Sequence, residues 1–93
     1  MSSVPVSVLD LATVSAGATT ADALGATIDL ARAADGLGAH RFWVAEHHNM
    51  ASVAATNPPV LVGAIAARTE RIRVGSGGVM LPNHSPYVIA EQF

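Results

Sequence analysis

The sequence predicts an α/β fold in which three strand–helix units follow one another on a parallel sheet. Three observations carry this. Short runs rich in β-branched and aromatic residues alternate with stretches of helical periodicity. Each helical stretch opens on a capping signal. The units recur at roughly the thirty residues of a βαβ repeat.

The strands are expected over residues 6–11, 41–46 and 72–75. Between the first two, Thr19 and Asp22 form a capping-box pattern, and Leu24, Ile28 and Ala31 then recur on one helical face. Gly36 and Gly38 supply a left-handed stop before the second strand. The second helix opens on Asn57-Pro58, a cap followed by proline at the first helical position, and runs through Val60, Leu61, Ala64 and Ile65 to Arg68. Ser85-Pro86 opens a third helix by the same logic. Three parallel strands with helices on one face leave the other face bare and both edges unpaired, which parallel sheets do not tolerate. About eight such units close into a barrel. The expectation is therefore that residues 1–93 are the N-terminal three βα units of a (β/α)8 TIM-type barrel domain, incomplete by themselves. Such a piece should fold poorly alone, exposing apolar surface and melting without cooperativity.

Composition agrees. Hydrophobic residues make up 51% and charged residues 13% of the chain, more like the interior of a larger body than a free-standing small domain. The five basic residues are scattered arginines and net charge is −2, which excludes a nucleic-acid partner. Cysteine is absent, so disulfides, thiolate metal sites and a cysteine nucleophile are excluded. No basic residue precedes Arg32, as a signal peptide would require, and the longest apolar run, residues 60–67, is too short for a bilayer. The expectation is a cytoplasmic protein with no membrane partner.

Two clusters could carry chemistry. Glu46-His47-His48-Asn49 closes the second strand and leads into a long loop over residues 49–57, and βα loops at strand C-termini are where α/β proteins place their sites. Adjacent strand residues face opposite sides, so His47 and His48 cannot share one metal ion without a bend, and no metal site is expected. Either one histidine packs against the loop while the other is solvated, or one is a catalytic acid/base. The second cluster, Gly75-Ser76-Gly77-Gly78, ends the third strand. It lets backbone approach a flat ligand, or forms a bulge or tight turn. It is neither a dinucleotide fingerprint, for which Leu81 would have to be glycine, nor a P-loop, because no Lys-Ser/Thr follows. Asp10 lines the barrel mouth or caps a turn, His84 reads as a loop or cap residue, and Trp43 reads as core.

Three ordered motifs, residues 7–12, 41–50 and 72–86, together with Ile89-Ala90-Glu91-Gln92-Phe93, resemble the luciferase-like monooxygenase family, within it the luciferase family oxidoreductases of group 1. The resemblance runs over nearly the whole chain and covers the N-terminal third or so of a family member. It implies a TIM-type barrel that binds reduced FMN at its C-terminal mouth and uses O2 to oxygenate an organic substrate, with a flavin reductase supplying FMNH2 and a homodimer as the full-length assembly. By resemblance His47 is the catalytic residue, and Ser76, Gly77, Gly78 and Glu46 contact the cofactor. The resemblance also implies a non-proline cis peptide at Gly77–Gly78, so a cis bond or a bulge is expected there. The groups that hold the FMN phosphate lie in later units of such proteins, so the 93 residues alone should bind flavin poorly. Two other readings stand beside this one: hydride transfer with the deazaflavin F420 in the same superfamily, and a non-catalytic flavin-binding or truncated remnant.

Overall fold

The second strand lies at the centre of a three-stranded parallel sheet ordered β1–β2–β3, in a computed structural model that describes residues 4–93. The strands are β1 (Ser7–Leu9), β2 (Arg41–Val44) and β3 (Arg73–Ser76), joined by helices α1 (Thr20–Gly36) and α2 (Pro58–Ala66); a 3-10 turn (Leu81–Asn83) and helix α3 (Pro86–Gln92) follow. Register sets Ser7, Arg41 and Arg73 abreast in one layer, and Leu9, Trp43 and Gly75 in the next.

Burial alternates along β2. Phe42 and Val44 are fully buried and join Ala31 and Ala34 of α1 and Leu61 and Ile65 of α2 in a single core. Burying a side chain of this size contributes about 1.5–3 kcal/mol. Arg41 and Trp43 face the other way, where the Arg41 guanidinium sits 5.6 Å from the centroid of the Trp43 ring. Both helices thus cover one face. The opposite face carries Leu9, 61% exposed, and the partly exposed Trp43, so Trp43 is not part of the helix-side core.

The helix starts follow the sequence. Thr19 Oγ1 accepts from the Asp22 amide at 3.1 Å, and Asp22 Oδ2 accepts from the Thr19 amide at 2.9 Å. This is the reciprocal capping box. Gly38, at φ +81°, provides the left-handed stop, whereas Gly36 is still helical. Asn57 caps α2 through Oδ1 to the Val60 amide. Helix α2 ends at Ala66, short of Arg68, whose guanidinium donates back to the Ala64 carbonyl at 3.1 Å. Ser85 precedes α3 but makes no side-chain cap bond.

Strand β1 is shorter than expected, three residues against six, because Asp10 pulls the chain out of line. Its Oδ2 accepts from the Ala12 amide at 3.0 Å and from the Thr27 hydroxyl of α1 at 2.5 Å, and Ala12 then takes φ +51°. Asp10 therefore caps a turn and ties β1 to α1. The loops after β1 and β2 pair with each other. Thr13 and Val53 form an antiparallel bridge, flanked by Val14 N–H to Ser52 at 2.8 Å and Ala54 N–H to Ala12 at 2.9 Å. At the opposite end, the buried Asp35 accepts from the Glu70, Arg71 and Ile72 amides at 2.8, 3.0 and 2.8 Å. Among the described residues, no helix is long and apolar enough to cross a membrane.

Candidate active site

The C-terminal ends of the three strands open onto a cavity of roughly 420 Å³ lined by Leu9, Leu11, Ala45, Glu46, His47 and the stretch from Gly77 to Met80. Its walls are mostly apolar. The alternation of β2 continues past the last paired residue: Ala45 and His47 keep to the side of Trp43, while Glu46, like Val44, is buried. His47 is held by its backbone, whose N–H donates to the Ala55 carbonyl at 2.9 Å.

The glycine cluster forms the facing wall. Gly77 N–H donates to the Val44 carbonyl at 2.7 Å and the chain then bends out of the sheet. A Cβ at Gly77 would stand 3.2 Å from Leu9 Cδ1 and 3.3 Å from the Val44 oxygen, so only glycine leaves this wall flat. Ser76 faces a shallower adjoining hollow with Leu9, Trp43 and Gly77. Its hydroxyl donates to the Gly78 carbonyl and accepts from the Gly78 amide at 3.3 Å, folding the glycine pair back on itself. No peptide bond among the described residues is cis. The Gly77–Gly78 link is trans, so of the two geometries expected there the cis bond is not formed, and the chain changes direction through the bend at Gly77.

Glu46 and the second histidine form a hydrogen-bonded cluster behind the cavity wall. Glu46 Oε1 accepts from the Met80 amide at 3.0 Å, and Oε2 meets His48 Nε2 at 2.6 Å and His84 Nε2 at 2.8 Å. Burial pushes the Glu46 carboxyl up, but the donors from His48, Met80 and His84 outweigh it and hold the group down at about 2. The carboxylate is thus ionised with both oxygens already engaged by protein donors. His48 turns to Glu46 while His47 lines the cavity, so the two rings are separated as adjacent extended residues must be. Among the described residues, no group of three or more His, Cys, Asp or Glu side chains is arranged to hold a metal ion.

Sequence reasoning gave His84 no part in this cluster and gave Asp35 none in the fold. Their partners lie 38 and 35–37 residues away, so no local pattern announces them. Asp35 is held below the usual carboxylate range by the Glu70, Arg71 and Ile72 amides.

Over residues 4–93 the chain matches the family described as luciferase-like monooxygenase. The chain belongs to that family. It is 54% identical over 87 residues to a luciferase-like monooxygenase of Escherichia coli (strain K12), covering 94% of this chain and 26% of the relative. It is 52% identical, with the same coverage, to the N-acetyl-S-alkylcysteine monooxygenase of Bacillus subtilis (strain 168). Among solved structures, apo-MsnO8 superposes with a TM-score of 0.94 at 51% identity, over 97% of this chain and 27% of that one. The oxygenating constituent of 3,6-diketocamphane monooxygenase of Pseudomonas putida, a type II Baeyer–Villiger monooxygenase in complex with FMN, shares the fold at a TM-score of 0.86 and 22% identity, over 95% of this chain and 24% of that one. The luciferase-like chain thus spans about a quarter of the length of the relatives it matches.

Proposed function

We propose that these residues form one side of the flavin site of a monooxygenase that uses reduced FMN and O2 to oxygenate a small organic molecule, with a separate reductase supplying FMNH2. One observation carries the reading: His47 and Gly77–Gly78, brought from the ends of β2 and β3, line a single apolar cavity. Membership of the luciferase-like monooxygenase family supports it.

The residues present fit a flat aromatic ring. Leu9, Leu11, Ala45 and Val79 give an apolar bed, and the missing Cβ at Gly77 leaves the wall level. Bound reduced flavin supplies the reaction with oxygen. The chain's part is to exclude water from that surface and to place one titratable ring, His47, at its edge. A proton held or moved at the His47 ring is worth about 10²–10⁴-fold for acid/base assistance. Arg41 and Arg73 open their strands, at the end away from the cavity, and so do not serve a phosphate there.

The test takes a family-length polypeptide carrying residues 1–93 and measures FMN binding and oxygen uptake with reduced flavin. His47→Ala should keep FMN affinity within about threefold while kcat falls by about 10²–10⁴-fold. Reduction or oxidation with F420 and no oxygen uptake would transfer the assignment to hydride transfer. Retention of full turnover by His47→Ala would remove the histidine from the mechanism.

A further inference from the structure

The Glu46 side chain is only 1% exposed, yet it carries a charge and reaches into two loops. One of its donors, His48, is two residues along the loop after β2; the others, Met80 N–H and His84, lie 34 and 38 residues further on, in the loop after β3. These loops bear the opposite walls of the cavity, His47 on the first and Gly77 to Met80 on the second. An ionised carboxylate only accepts, so both imidazoles present Nε2–H to the same oxygen, and each ring is fixed in orientation.

We infer that Glu46 is a positioning residue: its carboxylate fastens the loop after β2 to the loop after β3 through His48, His84 and the Met80 amide, and so fixes the distance between His47 and the glycine wall. The inference rests on the flavin-enzyme reading above. Glu46 needs no contact with cofactor or substrate for this, because both its oxygens are spent on the two loops. A glutamine of nearly the same volume has one acceptor oxygen and turns an NH2 group toward one set of donors, so it cannot close the clamp.

The experiment compares wild type, Glu46→Gln and His84→Leu in the family-length polypeptide, with ¹⁵N-labelled histidine NMR, hydrogen exchange at the Met80 amide, FMN titration and steady-state kinetics. Wild type should show a hydrogen on Nε2 of both His48 and His84 and a protected Met80 amide. Glu46→Gln should either release both rings or speed Met80 exchange by about tenfold or more, according to which set of donors its NH2 group faces. FMN affinity should stay within about threefold, while kcat falls by about 10- to 100-fold from the loosened wall. His84→Leu removes one tie and should move kcat in the same direction by less; it carries the test if Glu46→Gln does not fold. Unchanged ring signals and unchanged Met80 exchange in Glu46→Gln would overturn the clamp. So would a loss of FMN affinity of about tenfold with kcat intact, which would make Glu46 a direct ligand. If wild type binds no FMN, the flavin reading fails, and the ring signals and Met80 exchange still decide the clamp.

Discussion

Gly75 leaves room for one side chain, that of its cross-strand neighbour. A Cβ at position 75 would stand 2.9 Å from Cζ3 of Trp43, a separation that forces the indole to shift. The Arg41 guanidinium also lies 5.6 Å from the centroid of the indole. Gly75→Ala should therefore cost about 1–3 kcal/mol, as overpacking does, read as a lowered urea midpoint in the family-length polypeptide. Gly77 is constrained by something stiffer, the Val44 carbonyl of the neighbouring backbone, while Leu9 can yield by turning its terminal methyl. The two glycines keep the end of β3 open for different reasons. Gly75 admits a side chain from within the sheet, and Gly77 keeps the cavity wall level where the chain bends away.

At the level of elements, stability lies in the joints. Thr19 makes a complete capping box while Ser85 makes no side-chain cap bond. Thr19→Ala should thus cost about 1 kcal/mol and Ser85→Ala nearly nothing, measured side by side in denaturant. Three carboxylates at the joints shift in one direction. Asp22, lowered by its backbone and hydroxyl bonds with Thr19, Asp35, lowered by the Glu70, Arg71 and Ile72 amides, and Glu46, lowered by His48, Met80 and His84 against its burial, all prefer the ionised form when folded. A carboxyl with a depressed folded pKa stabilises the protein above its unfolded value and loses that contribution as pH falls through the folded one. For Glu46 the window runs from 4.5 down to about 2. Thermal midpoints of the family-length polypeptide should fall steadily across that range, and Glu46→Gln should flatten the slope; a midpoint independent of pH below 4.5 would contradict the assignment. What the sequence made legible was local: the order of elements, the Thr19 box, the Asn57-Pro58 start and the Gly38 stop are all written within a few residues. Strand ends were less legible, since β1 stops where Asp10 bonds to Thr27, 17 residues on, and the loops settle through the Thr13–Val53 bridge. The same holds in the site. Strand alternation placed His47 and His48 on different sides, but nothing near Glu46 pointed to His84.

Across the whole molecule the sheet has one covered face and one open one. Phe42, Val44, Leu61 and Ile65 hold α1 and α2 against the first, while the second presents Leu9, Trp43 and the Ser7–Arg41–Arg73 layer. Val6 at 64%, Val60 at 68% and Tyr87 at 73% exposure add apolar surface beyond that face. Among the described residues, β1 and β3 each have a neighbour on one side only in a sheet of this order, so each presents a row of backbone donors and acceptors. In the relatives the matched region is about a quarter of the chain. A core this thin, beside so much bare apolar surface, leaves little free energy to oppose chain entropy. Residues 1–93 produced alone should therefore bind an apolar dye, associate with rising concentration and lose secondary structure gradually on heating. Calorimetry and sedimentation on the same sample check it: a sharp, concentration-independent transition in a monomer would mean that the core of α1, α2 and the sheet suffices without a covered second face.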